Sequence, residues 1–221
     1  MRKFFTMIFM MMTLCVFTAC GKTEEMKTTS TSAEMIEVSE TLPEEGILTK
    51  EGYVLLTGQH NIEIEIENYG TIALTLDADI APVTVTNFMD LVNDGFYNGL
   101  TFHRIISGFM IQGGDPQGNG MGGAPRKIQG EFEANGIQND LAHTRGVISM
   151  ARSKANDSAS SQFFIMHQDS PHLDGSYAAF GYVTSGIEVV DAICEAVQVE
   201  DRNGTVTKVN QPVIKEIRVV E

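Results

Sequence analysis

No apolar run in this chain reaches the roughly 20 residues that a membrane-spanning helix requires. The run near its start, Phe4–Ala19, has 16. Cysteine is scarce: of three in 221 residues, Cys15 and Cys20 belong to the leader region and Cys194 stands alone. An internal disulfide framework is therefore excluded. Positive charge is short as well, with 15 Lys and Arg against 29 Asp and Glu. The net −14 repels nucleic acid and anionic headgroups, so no nucleic-acid partner is expected. The glycine-rich "GGDPQGNGMGGAP" at 113–125 lacks the Lys-Ser or Lys-Thr of a phosphate cradle and reads as a turn beside a groove. His143, His167 and His172 show no ligand spacing with Cys or carboxylates, so no metal is expected. The absence of any repeat of 20–50 residues argues against a solenoid or propeller.

What is present divides into three. Arg2 and Lys3 precede the apolar run, so residues 1–19 read as a signal peptide. Residues 20–50, rich in Thr, Ser and Glu and without a sustained period, read as a flexible tether. Residues 51–221 are long enough for one domain. At its entry, "GYVLLTG" (52–58) reads either as an extra strand or as a patch packed on the surface.

Within the domain, Ile62, Ile64 and Ile66 alternate with Glu, Asn68-Tyr69-Gly70 supplies a turn, and Ile72, Leu74 and Leu76 alternate again. This predicts a hairpin with one apolar face. Pro82, Val85, Phe88, Met89 and Val92 predict a helix stopped by Gly95. Ile187, Val190, Cys194 and Val197 predict a second helix, with Cys194 a small buried apolar residue. "TFHRII", "FMIQGG", "GVISMA", "QFFIMH", "AAFGYV" and "VIKEIRVV" are short strands. A mainly antiparallel sheet is expected, and closure into a barrel would remove its exposed edges.

The chemistry concentrates in "FHRIISGFMIQGGD" at 102–115, which gathers an Arg, a Gln and apolar residues around no nucleophile. With "GVISMARSKANDSASSQFFI" at 146–165 and "HLDGSYAAFGYV" at 172–183, it resembles the cyclophilin family of peptidyl-prolyl isomerases over roughly 62–220. The resemblance implies a closed eight-stranded antiparallel β-barrel capped by two α-helices. It also implies rotation about X-Pro bonds in proline-containing peptides, with no cofactor. Carried over by position, it implies Arg104 and Gln112 as catalytic groups, aided by Phe109. Phe109, Met110, Phe164 and Leu173 would form the proline seat, and Ala151 and Arg152 the backbone contacts. The groove would also include His172 at its rim, where eukaryotic members carry Trp, and Tyr177, where they carry His. His103 is expected to be a structural, hydrogen-bonded histidine turned from Arg104 by strand alternation.

"VFTAC" at 16–20 resembles the lipobox of bacterial lipoproteins, with Phe17 where Leu is preferred. This implies lipidation at Cys20 and a membrane anchor on the extracytoplasmic face of a bacterial membrane. The clients would be unfolded exported proteins, handled by a monomer. A second reading, from a different class, is a non-catalytic proline-peptide-binding module or holdase using the same groove.

Overall fold

A computed structural model describes residues 38–220. The sheet strands are, in chain order, β1 (Ile47–Leu48), β2 (Gln59–Ile66), β3 (Gly70–Asp77), β4 (Thr101–Ile106), β5 (Met110–Asp115), β6 (Lys127–Ile128), β7 (Val147–Met150), β8 (Phe163–Met166), β9 (Ala179–Ser185) and β10 (Ile214–Val220). Two helices, α1 (Pro82–Asn93) and α2 (Ile187–Ala196), complete the regular elements that matter here. The fold is mainly β. Eight strands form one antiparallel sheet in the order β10-β2-β3-β9-β7-β8-β5-β4, while β1 and β6 pair in parallel apart from it.

The predicted hairpin is β2–β3, paired Ile62↔Leu74 and Ile64↔Ile72, with all four side chains buried. Its turn covers 67–69, where Asn68 takes a φ of 64°. Helix α1 begins at Pro82, and no side chain of its N-cap Ala81 serves the first turn. Glu131 does so from far along the chain, its carboxylate accepting from the N–H groups of Val83 (3.0 Å) and Thr84 (2.8 Å). At the other end Gly95 donates to Val92 O and Phe96 to Leu91 O, the two bonds of a left-handed helix stop. Phe88 of α1 sits in the main core with Tyr97, Phe163 and Phe180. In α2, Val189, Val190 and Ile193 are buried and Cys194 is half-buried. Burial pushes the Cys194 thiol up to about 11, so it stays protonated.

Two expectations are corrected. The barrel is not closed by a ladder, because β4 and β10 share no run of paired residues. They are stitched by the Thr101↔Val213 bridge and by bonds from Phe102 N–H to Pro212 O (2.9 Å) and Ile214 N–H to Leu100 O (2.7 Å). Farther along, the free edge of β4 is taken by the 203–206 segment, through Ile105 N–H to Gly204 O (2.8 Å) and Val206 N–H to His103 O (3.0 Å). The second correction concerns the tether, which does not extend to residue 50. Leu48 is fully buried, and Lys127 N–H and Gln129 N–H donate to Gly46 O and Leu48 O. The short β6 offers an open edge, and Ile47–Leu48 fill it. Residues 52–58 form no strand beyond a Ser39↔Tyr53 bridge. Leu55 and Leu56 pack on the core, and Leu56 N–H donates to Thr86 Oγ1 (2.9 Å). The signal peptide, Cys20 and the first part of the tether lie outside the described residues.

Candidate active site

The site lies on the outer face of β4, β5 and β8, and alternation builds it. On β5, Ile111 joins the main core while Met110 belongs to a second, smaller apolar cluster; on β8, Phe163 and Ile165 face the core while Phe164 and Met166 join the second cluster. Gln112 pairs with Phe164 across the ladder and so shares the outer face. Arg104 reaches that face through an irregularity in β4: Phe102 pairs with Gly113 and Arg104 with Gln112, leaving His103 as an extra residue. Gly113 is what permits this approach, since a Cβ there would lie 2.9 Å from Thr101 O and 3.0 Å from the Phe102 ring.

The guanidinium of Arg104 is held from two sides. Its Nε donates to Asn203 O (2.8 Å) and its Nη1 to Gln112 Oε1 (3.2 Å). Gln112 Nε2 in turn donates to Gln162 Oε1 (2.9 Å), and Gln162 Nε2 to Gly122 O (2.7 Å). This relay orients both amides and leaves Arg104 Nη2 without a partner among the described residues. Burial pulls the Arg104 pKa down from its ordinary value, and Tyr177 and Asp201 oppose the pull. An arginine retains its charge through a shift of this kind.

Nine of the ten positions assigned to the groove from the sequence line one cavity of about 130 Å³: Arg104, Phe109, Met110, Gln112, Ala151, Arg152, Phe164, Leu173 and Tyr177. The tenth, His172, is exposed and stacks on Phe109 (centroids 5.6 Å apart, 30° between planes). Ala151 gives its N–H to Gln162 O (2.9 Å), so of the two backbone positions only Arg152 keeps an unpaired N–H among the described residues. The Arg152 side chain braces the wall, lying 4.8 Å from the Phe132 centroid and 4.9 Å from that of Tyr177. Its Nε and Nη2 donate to Ser176 O at 2.9 and 2.8 Å. A second depression of about 330 Å³ continues from Gln112, Ala151 and Arg152 towards Gly122 and Ser160.

Four supporting residues escaped the sequence reading. Gln162 and Asn203 hold the amide and the guanidinium, as above. Alternation from Phe164 was the available signal for Gln162, whereas nothing local pointed to Asn203. His143 and Asp174 support Phe164: the His143 ring stacks on it (6.0 Å, 19°) and bonds to Asp174 Oδ1 (2.9 Å) and Ser149 Oγ (3.0 Å). The glycine-rich loop is no phosphate cradle, because its N–H groups turn inward. Those of Gln117, Asn119 and Gly120 donate to the buried Asp115 carboxylate at 2.8, 3.0 and 2.6 Å. Burial works to raise the Asp115 pKa, but these bonds hold it below the ordinary value.

His103 differs from expectation in one respect. It is buried (5 % exposed) and structural, yet neither ring nitrogen has a hydrogen-bond partner among the described residues. As the extra residue of the β4 irregularity it lies under Gly120, where a Cβ would stand 3.6 Å from His103 Nε2.

Known proteins resemble the part of the chain that carries this site. The family profile described as cyclophilin type peptidyl-prolyl cis-trans isomerase/CLD matches residues 61–219. Peptidyl-prolyl cis-trans isomerase B of Bacillus subtilis is 46% identical over 139 residues, covering 63% of this chain and 87% of that protein. A peptidyl-prolyl cis-trans isomerase of Helicobacter pylori is 48% identical over 128 residues, covering 57% and 76%. A crystal structure of a Cryptosporidium parvum cyclophilin type isomerase, solved in the presence of the dipeptide Ala-Pro, superposes with a TM-score of 0.64 at 32% identity, covering 73% of this chain and 99% of that one.

Proposed function

We propose, for a chain that belongs to the cyclophilin-type peptidyl-prolyl cis-trans isomerase family, that Arg104 lowers the barrier to X-Pro rotation and that the cavity beside it seats the proline ring. The chain is an enzyme of that class. One observation carries the assignment of roles: a guanidinium fixed by Asn203 O and Gln112 Oε1 lines the same small cavity as Phe109, Met110, Phe164 and Leu173.

The peptide bond resists rotation by about 18–20 kcal/mol because the nitrogen lone pair is delocalised into the carbonyl. In the twisted state that lone pair returns to the proline nitrogen. A donor aimed at it binds the twisted state better than the planar one, and only such a difference accelerates the step. Arg104 supplies a permanent charge and an unengaged donor, already oriented. The apolar walls exclude water from that contact and grip the ring, while Gln112 and the Arg152 backbone hold the chain beside it. No bond breaks, which accounts for a site without a nucleophile. The Ala-Pro dipeptide present with the related Cryptosporidium parvum enzyme supports a proline-containing peptide as occupant. We infer that the enzyme acts as a monomer, since nine of the ten groove positions of one chain already line a single cavity.

Exchange NMR on an Ala-Pro peptide tests the assignment. Arg104→Ala lowers kcat/KM by about 10²–10³, the usual loss for one oriented transition-state donor, with the unfolding midpoint near wild type. A variant as fast as wild type sinks it.

The clients we infer are unfolded exported proteins, met by an enzyme tethered through a lipid on Cys20 at the extracytoplasmic face of a bacterial membrane. The support lies in the leader: a basic start, a 16-residue apolar run and small residues before the cysteine. Two acyl chains give the stable anchorage that one does not. In cell fractionation, Cys20→Ala moves the protein out of the membrane fraction; retention there refutes the anchor.

A further inference from the structure

Phe109 stands on the tight turn between β4 and β5, where its N–H donates to Ile106 O (3.0 Å) and Gly108 takes a φ of 80°. The Gly108 N–H is left out of the turn's own hydrogen bond and is free to donate elsewhere. It finds His167, donating to Nδ1 at 2.8 Å. The other ring nitrogen, Nε2, lies 3.1 Å from Asp191 Oδ1 on α2. The bond from Gly108 makes Nδ1 an acceptor, so the proton of the neutral ring sits on Nε2, on the side facing Asp191. Asp191 is gripped on its second oxygen by Arg145 Nη2 (2.8 Å), and Arg145 Nη1 donates to the His167 carbonyl (2.7 Å). The Phe109 carbonyl also accepts from the His167 N–H (2.9 Å). Both the turn and the aromatic residue it presents thus rest on His167.

We propose that His167, oriented by Asp191 and Arg145, is a positioning residue for isomerisation: through Gly108 it sets the Phe109 ring against the proline. The inference rests on the reading of Phe109 as part of the proline seat. None of His167, Asp191 and Arg145 lines the cavity, so their influence passes through the turn. Helix α2, otherwise a cap on the sheet, becomes a support of the site.

Two near-isosteric substitutions in the full chain separate the contacts. In His167→Asn the amide oxygen occupies the place of Nδ1 and keeps the bond from Gly108, while the contact with Asp191 is lost. In His167→Gln the amide reaches Asp191 and the acceptor for Gly108 is lost. Exchange NMR at varied peptide concentration gives KM and kcat separately. For His167→Gln, KM rises about tenfold with kcat within about twofold, the pattern of lost uniform binding. His167→Asn, which keeps the Gly108 bond but loses the brace from Asp191, raises KM by clearly less than His167→Gln does. The Gly108 amide exchanges with solvent faster in His167→Gln than in His167→Asn, a readout that overall stability does not mimic. Wild-type kinetics for His167→Gln, or equal losses in both variants, overturn the proposal while leaving the seat in place. An unchanged KM for Phe109→Ala overturns the seat itself and this inference with it.

Discussion

Phe163 and Phe164 are neighbours on β8 that face opposite ways, and their surroundings differ more than their chemistry. Phe163 is fully buried and meets Phe88, Tyr97 and Phe102 edge-on, at 5.5, 5.6 and 5.9 Å. Phe164, 5 % exposed, meets Tyr177 edge-on at 5.9 Å, rests on His143 and lines the cavity. The inner face is closed by its own aromatic side chains. The outer face stays open because each wall is pinned by polar anchors: Tyr177 by Arg152, His143 by Asp174 and Ser149, and Arg104 by Asn203 and Gln112. An apolar surface that must receive a ligand is thus kept from collapsing by groups that are not apolar.

Truncation breaks the comparison most sharply on the inner side. Phe163→Ala empties a closed core and costs about 3–5 kcal/mol, read from denaturant unfolding. The molecules that remain folded isomerise peptide with kcat/KM near wild type. On the outer side the order reverses: Phe164→Ala borders space that is already open, so its stability cost falls below that of Phe163→Ala, while KM rises several-fold. Equal stability losses at the two positions, or an unchanged KM for Phe164→Ala, would show that the faces are not divided in this way.

The same contrast explains which features were legible in the sequence. Alternation along a strand is local, so Ile62, Ile64 and Ile66 announced an apolar face that the structure retains. The positions of Arg104, Phe109 and Gln112 were available from the motif at 102–115 and that of Phe164 from the block at 146–165, and one cavity gathers them. What failed depends on partners distant in sequence. The His103 irregularity is set by the close pairing of Phe102 with Gly113 across the ladder. The burial of Leu48 needs β6, nearly eighty residues later, and the cap of α1 needs Glu131. The anchoring of Arg104 depends on Asn203 being carried to the free edge of β4 by the stitched seam. A single fold-wide seam, then, both spoils the closed barrel and supplies the site with one of its anchors.

The smallest effect concerns pH and sharpens the contrast from the outer side. His143 lies beneath Phe164 and His103 beside Arg104, and burial holds both below the ordinary histidine value of 6.5. Asp174 works against that shift at His143, and Asp115 works against it at His103. Both rings therefore bind a proton less readily in the fold than in the unfolded chain, which takes up protons near 6.5. Below that pH the unfolded state binds more protons, so stability is complete above it and is lost as the pH falls towards the depressed folded values. Each histidine contributes at most about 1.4 kcal/mol per pH unit in that window. His103 has no hydrogen bond to lose, so His103→Leu keeps near wild-type stability at pH 7.5 and removes one of the two contributions. Unfolding midpoints measured from pH 7.5 to 5 then fall less steeply for His103→Leu than for wild type. An identical slope would mean that the His103 ring takes up its proton as readily in the fold as in the unfolded chain, and the depressed value assigned beside Arg104 would have to be abandoned.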